Sequence, residues 1–346
     1  SFLENLRLDA LEEVGHDLHL VAMESVEVLE LGSLARVGGE LRIERTSITS
    51  LGGLGALEEV GGALVFSGNH ELVEFDDLVS LRSIGGLVVE YQKELTTFEG
   101  LPSRPTLGYV ELLNNRVLVR VDLEGVTTLG HLVVDGAHDL VELEAPDLVE
   151  VGTLRIDGTD GLTGIGGMPK LRSVGSLELV SNDSLVDLDG LSALEELGSL
   201  ELTSNFALSS VAGLAGVQST SVGRITVAHC DALTDFDALG AVESVTGGII
   251  LTGNDALGAI SGLGSLRTIE SIEMGWPYDE DIRGWLEISD NRSLGSLDDL
   301  VALEAVHGTL TIRDNPCLGH GAAHLFAEGL DVVWEQDIHD NGGYCP

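Results

Sequence analysis

Between residues 174 and 197 the apolar positions change their period midway. Over Ser176–Val180 they alternate: Leu177 and Leu179 face one way, and Ser176, Glu178 and Val180 the other, as in a half-buried strand. After Asn182 the leucines recur every third residue, at Leu185, Leu188, Leu191, Leu194 and Leu197, with small or acidic residues between them. A period of three suits neither a 3.6-residue helix nor a two-residue strand. It predicts a chain that turns a corner every few residues and drops one apolar side chain inward each time. One such unit cannot close a core, but a stack of them can.

The unit recurs along nearly the whole chain. An apolar residue precedes each strand, at Val14, Val37, Val60, Ile84, Leu107, Leu129, Val151, Val174, Leu197, Val222, Val245, Ile269 and Val306. Strand cores follow, from Leu18-His-Leu20 and Leu41-Arg-Ile43 to Leu286-Glu-Ile288 and Leu310-Thr-Ile312, with Gln336–His339 as a degenerate last rung. Thirteen or fourteen parallel rungs about 4.8 Å apart would make a rod of roughly 60 Å. The opening Ser1–Val14 reads as the second half of a repeat, so the natural chain is expected to begin earlier.

Three residues after the second inward strand residue stands a polar column: Asn69, Asn115, Asn182, Asn205, Asn254, Asn291 and Asn315, with Cys230 in the same position. Stacked amides can bond the backbone of the neighbouring turn, which satisfies them where water is excluded. Cys230 is therefore expected to be a buried structural thiol. The sequons Asn182-Asp-Ser184 and Asn291-Arg-Ser293 use ladder residues and are expected to stay unglycosylated. A second column, Glu58, Arg82, Arg172, Glu195, Glu243, Arg267 and Glu304, sets opposite charges on adjacent turns. Such pairs are worth little singly and help fix which turn stacks on which.

Composition agrees with thin stacked turns. Hydrophobic residues make up 43% but aromatics only 4%, so the core is aliphatic and finely divided. The net charge of −41, with two lysines (Lys93 and Lys170) among the bases, disfavours nucleic acid and anionic membranes as partners. No run is long enough for a membrane-spanning helix.

The run Leu54-Gly-Ala-Leu-Glu-Glu-Val-Gly-Gly-Ala-Leu-Val-Phe-Ser-Gly-Asn-His-Glu-Leu72 places its leucine three residues after the asparagine, not two as in common leucine-rich repeats. It resembles the receptor L domain, the ligand-binding β-helix module of insulin- and epidermal-growth-factor-type receptors, found also in exported bacterial proteins. The resemblance implies a mainly β fold: a right-handed parallel β-helix, or leucine-rich-repeat-like solenoid, of about 13 rungs over residues 1–316. A small helical cap over 317–346 would follow. Bacterial members close with a cysteine at each end of the cap, which implies a Cys317–Cys345 disulfide and an oxidising compartment. The chain lacks cysteine-rich flanking modules and is about twice the length of one receptor L domain, so growth-factor binding does not carry over.

The long repeat between Ile269 and Val306 holds an insertion at 275–285, with Trp276, Tyr278, Asp279, Glu280, Asp281 and Trp285. Aromatic and acidic groups on a projecting loop suit recognition of a sugar face or a protein surface. A hairpin that folds back, with Trp276 and Trp285 covering the solenoid's own apolar surface, is the other reading. The outward residues of the strands, from Arg42 to Thr311 and flanked by Tyr109, His131 and Arg224, are a second candidate surface. Acids at one corner, Asp76/Asp77, Asp122, Glu144, Asp187/Asp189, Asp235/Asp237 and Asp298/Asp299, could hold Ca²⁺ or simply mark a wet edge. Catalysis finds no support: the ten histidines are scattered, there is no Cys-x-x-Cys or His-Glu-x-x-His, and no Gly-x-Ser-x-Gly elbow. His320 and His324 stand four apart, without an evident third ligand.

The sequence thus points to a secreted or cell-surface, non-catalytic recognition or adhesion module for a protein or glycan, without a resident cofactor. A self-assembling structural component of a cell envelope or extracellular matrix is the alternative.

Overall fold

The computed structural model describes residues 3–99, 101, 106–271 and 284–345. Two compact units divide the chain, one of residues 1–162 and 166–171, the other of residues 163–165 and 172–346. Each is a stack of short parallel strands, and the fold is mainly β, a leucine-rich-repeat-like parallel solenoid. In the first unit the principal strands are β1 (Leu18–Met23), β2 (Leu41–Thr46), β3 (Glu59–Ser67), β4 (Ser83–Glu90), β5 (Tyr109–Leu113), β6 (Thr128–Asp135) and β7 (Glu150–Asp157). In the second they are β8 (Ser173–Val180), β9 (Glu196–Thr203), β10 (Ile225–Ala228), β11 (Ile249–Thr252), β12 (Gly284–Ser289), β13 (Gly308–Arg313) and β14 (Gln336–His339). Helix α1 (His320–Glu328) lies between β13 and β14 in the chain.

The register is the one the repeat spacing dictates. Leu41 pairs with Leu64, Leu64 with Leu87 and Leu87 with Val110; in the second unit Leu177 pairs with Leu200, Leu200 with Ile225 and Ile225 with Ile249. The degenerate rung also forms, with Leu310 opposite Gln336 and Ile312 opposite Ile338. The apolar residues ahead of the strands stack in the same way, as in Val222–Val245–Ile269–Val306–Val332.

Period three has a hydrogen-bonding cause. In the turn after β8, Leu185 N–H donates to Asn182 O, Leu191 N–H to Leu188 O and Leu194 N–H to Leu191 O, at 2.8–3.1 Å. Each is an i→i−3 bond, so the chain advances three residues per corner, as a 3₁₀ turn does. All five leucines from Leu185 to Leu197 are 2% exposed or less. The first unit adds one aromatic cluster: Phe75 meets Phe66 edge-on at 5.1 Å and Phe98 at 4.8 Å.

The corner after each principal strand is built from two positions. The first adopts a left-handed backbone on every turn: Ala22, Arg45, Gly68, Tyr91, Asn114, Gly136 and Gly158 in the first unit, then Ser181, Ser204, His229, Gly253, Asp290, Asp314 and Asp340 in the second. The second is the ladder position. Asn205 shows the pattern: its Nδ2 donates to Leu179 O at 2.8 Å and its Oδ1 accepts Asn182 N–H at 3.1 Å, both on the preceding turn. Asn69, Asn115, Asn254, Asn291 and Asn315 repeat it, and each is 0% exposed. Asn341 extends the ladder, with Nδ2 donating to Ile312 O and Oδ1 accepting Asn315 N–H. It follows Ile338 by the same three residues and was legible by that rule. Thr46, Gln92, Ala137 and Thr159, all buried, and Met23, half-buried, fill the position elsewhere in the first unit.

Cys230 lies in the ladder, fully buried, with Sγ 3.7 Å from Leu202 O, the carbonyl an asparagine amide would reach. Burial pushes its thiol up from 9.0 to about 11. The charged column pairs across turns as expected: Arg82 with Glu58 at 3.5 Å, Arg172 with Glu195, and Arg267 with Glu243 at 4.0 Å and Glu304 at 3.2 Å. Cys317 and Cys345 are disulfide-bonded, with Cα atoms 4.6 Å apart, and enclose α1 and β14. A loop of this length restricts the unfolded chain by about 3–4 kcal/mol in the chain-entropy account.

Three outcomes follow from this construction. Replacing Asn205 by Ala orphans Asn182 N–H and Leu179 O and should cost about 2–4 kcal/mol in denaturant unfolding. Cys230 should resist thiol reagents in the folded protein at neutral pH and react once it is unfolded. Its unfolded thiol releases a proton near 9.0 while the folded one holds it to about 11, so stability should fall across that interval, and Cys230→Ala should remove that component. Expressed in a glycosylating host, Asn182 and Asn291 should appear unmodified in peptide maps, because both are 0% exposed.

Candidate functional site

The outward face of the principal strands is a set of in-register columns. Its central column runs Arg42–Val65–Val88–Glu111–Val133–Arg155 in the first unit and Glu178–Glu201–Thr226–Ile250–Glu287–Thr311 in the second. All of these are half-buried except Val65, which is 2% exposed. Alternation alone puts Val65 on the outer face, but it cannot show that neighbouring side chains cover it.

Two aromatic clusters stand on the flanking column, one residue before the first inward position. In the first unit Tyr109 stacks on His131, with ring centroids 4.5 Å apart and planes at 21°. The His131 imidazole donates from Nε2 to Glu111 Oε1 at 2.9 Å. The Tyr109 ring lies across Gly86, where an added Cβ would fall 2.1 Å from the ring. Desolvation, then the charges of Glu111 and Glu40, hold its phenol above its ordinary value.

In the second unit the same column reads Arg224, Gly248, Trp285. The Arg224 guanidinium sits over the Trp285 ring, 4.7 Å from its centroid. Trp285 is able to reach back toward Arg224 because Gly248 lies between them with φ +105°; a Cβ there would stand 2.9 Å from the indole Cδ2. The column register was readable from sequence. The stack was not, because it needs the side-chain-free gap at Gly248. Trp285 therefore packs on its own solenoid and still presents a half-exposed ring and cation. Trp276, Tyr278, Asp279, Glu280 and Asp281 lie outside the described residues.

The corner acids are largely engaged in holding turns. Arg120 binds Glu142 at 2.5 Å, Glu144 at 2.7 Å and Asp122 at 3.2 Å. Asp187 accepts Asp189 N–H, Asp235 accepts Ser261 N–H and Oγ–H, and Asp299 accepts Ile260 N–H. Among the described residues no three His, Cys, Asp or Glu side chains converge as a metal site would require. His320 and His324 meet edge-to-face on α1 at 4.6 Å.

An open groove of about 650 Å³ lies in the second unit between Ser173–Gly175, Glu195–Gly198 and Gln218–Ser221. It opens between Leu197 and Val222, a repeat of 25 residues that is longer than its neighbours on either side, and residues 218–221 form one side. Ser219 Oγ accepts Leu197 N–H there at 3.0 Å. Among the described residues no helix is long and apolar enough to cross a membrane.

No protein-family model and no curated protein matches the chain. One similar solved structure is the crystal structure of a TLR13–ssRNA13 complex, 15% identical with a TM-score of 0.28, the match covering 96% of this chain and 64% of that one. The chain thus spans less than two-thirds of that protein's length. A likeness at this level carries no weight for function, and the fold rests on the strand registers and ladder bonds above.

Proposed function

We propose that the chain is a non-catalytic recognition module, receptor-L-domain-like in its repeat, that presents the outward strand face to a protein or glycan outside the cytosol. The observation that carries this is the Arg224–Trp285 stack. A half-exposed indole beneath a guanidinium, at the point where the 275–285 insertion rejoins the sheet, is the kind of rigid aromatic–cation anchor that dominates binding surfaces. Tyr109–His131 offers a second anchor of the same kind in the first unit. The Cys317–Cys345 bond supports an oxidising location, such as the secreted or cell-surface setting. The half-buried, chemically mixed strand face gives a broad surface that suits such binding.

The test is a panel of glycans and surface proteins, screened with and without Ca²⁺ against the wild type, Arg224→Gln, Trp285→Ala and a variant with residues 275–283 replaced by a short Gly-Ser linker. A saturable ligand is expected, its affinity falling about tenfold or more in Trp285→Ala, as for an interface hot spot. Concentration-dependent self-assembly with no saturable ligand would favour the structural reading instead. Lost thermal stability with unchanged binding in both the Trp285 and linker variants would remove this surface from the function.

A further inference from the structure

Successive corners line one open pocket in each unit, and the two pockets carry opposite charge. In the second unit a space of about 440 Å³ is walled by Asp231, Asp255, Asp290 and Asp314, with Arg292 bound to Asp255 at 2.8 Å. In the first unit the same corner on β3–β5 lines a pocket of about 400 Å³, and no residue lining it is acidic. Its wall includes His70, Tyr91, Lys93, Asn114 and Arg116. The backbone is the same construction in each case, so the side chains alone set the difference.

That difference is large for a chain of net charge −41. Among the described lysines and arginines, all but Lys93, Arg116 and Arg224 have a carboxylate within salt-bridge distance, and Arg224 lies over Trp285. The other two follow the ladder position on successive turns, Lys93 after Gln92 and Arg116 after Asn115, and both line this one cavity. Glu71 and Glu94 adjoin in sequence but do not form its wall.

The remaining wall suits a polyhydroxylated ligand. Tyr91 is 53% exposed and occupies the left-handed position at φ +57°, where glycine serves on three other turns of the unit. A large side chain there costs backbone energy that glycine would avoid. His70 Nδ1 donates to Tyr91 O at 3.1 Å, which leaves Nε2 of the neutral ring as an acceptor. Asn114 adds an amide. Gln92, 2% exposed, donates from Nε2 to Phe66 O and Glu90 O, while its Oε1 has no partner among the described residues.

We propose that this corner binds an acidic sugar, with the uronate carboxylate held between Lys93 and Arg116, the ring face against Tyr91 and the hydroxyls toward His70 and Asn114. Two cations without a carboxylate partner among the described residues supply the charge-assisted bonds a carboxylate needs, and an exposed aromatic ring supplies the flat apolar contact of a sugar face. The site is separate from the strand face and does not depend on it.

The probe is a glucuronate-containing oligosaccharide, titrated by NMR or calorimetry against its carboxyl-reduced neutral counterpart, inorganic phosphate and a glutamate-rich peptide. Saturable binding of the acidic oligosaccharide is expected, with the neutral form weaker by about tenfold or more. Lys93→Gln with Arg116→Gln should abolish that preference and leave melting unchanged, because neither cation has a carboxylate partner among the described residues. Tyr91→Gly should weaken binding while preserving or raising the melting temperature, a combination that a purely structural tyrosine would not give. Absence of saturable binding, binding undiminished in the double variant, or phosphate or peptide bound as tightly as the oligosaccharide would each overturn the assignment.

Discussion

Every turn must leave its strand through a corner whose inward, ladder side lies where water does not reach. The backbone groups there have to find partners within the stack, since a buried, unpaired N–H or C=O costs about 1–3 kcal/mol. A left-handed residue followed by an inward amide solves this. The amide of Asn205 serves a donor and an acceptor of the turn before it, and Asn315 and Asn341 do the same farther along. Strand register, the inward leucines and the outward columns all depend on that corner repeating. Cys230 shows how far the rule stretches: a thiol faces the carbonyl an amide would have bonded, and the turn still forms.

Much of this was readable because a repeat supplies its own alignment. Period two then period three located strand and corners, and a dozen in-register copies gave the pairing of Leu41 with Leu64 or Leu177 with Leu200 without reference to coordinates. The left-handed column was only partly readable: Gly, Asn and Asp, which tolerate this conformation, hold eight of its fourteen positions, but Ala22, Arg45, Tyr91, Ser181, Ser204 and His229 carry no such signal. The substitution of Gln92 or Thr46 for asparagine was not readable, since each is buried by position and not by character. The Arg224–Trp285 stack and the acid-free cavity depend on what neighbouring turns omit, a side chain at Gly248 in one case and carboxylates in the other. Patterns report what is present far better than what has been left out.

The binding surfaces are decorations on a scaffold that does not need them. Core and ladder are fixed by inward residues; the strand face and the corner cavities are lined mainly by residues that vary from turn to turn. Acidic and basic versions of one corner therefore coexist in a single chain, and a ring can be set on a gap opened by a single glycine.

Parallel in-register stacking also multiplies any charge that recurs. Glu178 stands directly opposite Glu201, and Asp290, Asp314 and Asp340 occupy the left-handed position on three successive turns. Turns lie about 4.8 Å apart, well inside the roughly 8 Å Debye length of physiological salt. The second unit thus holds its turns together against its own field. Dissolved ions screen what repulsion the pairs with Arg313 and His339 leave, so the unit's cohesion depends on the ionic strength of the medium as well as on its leucines.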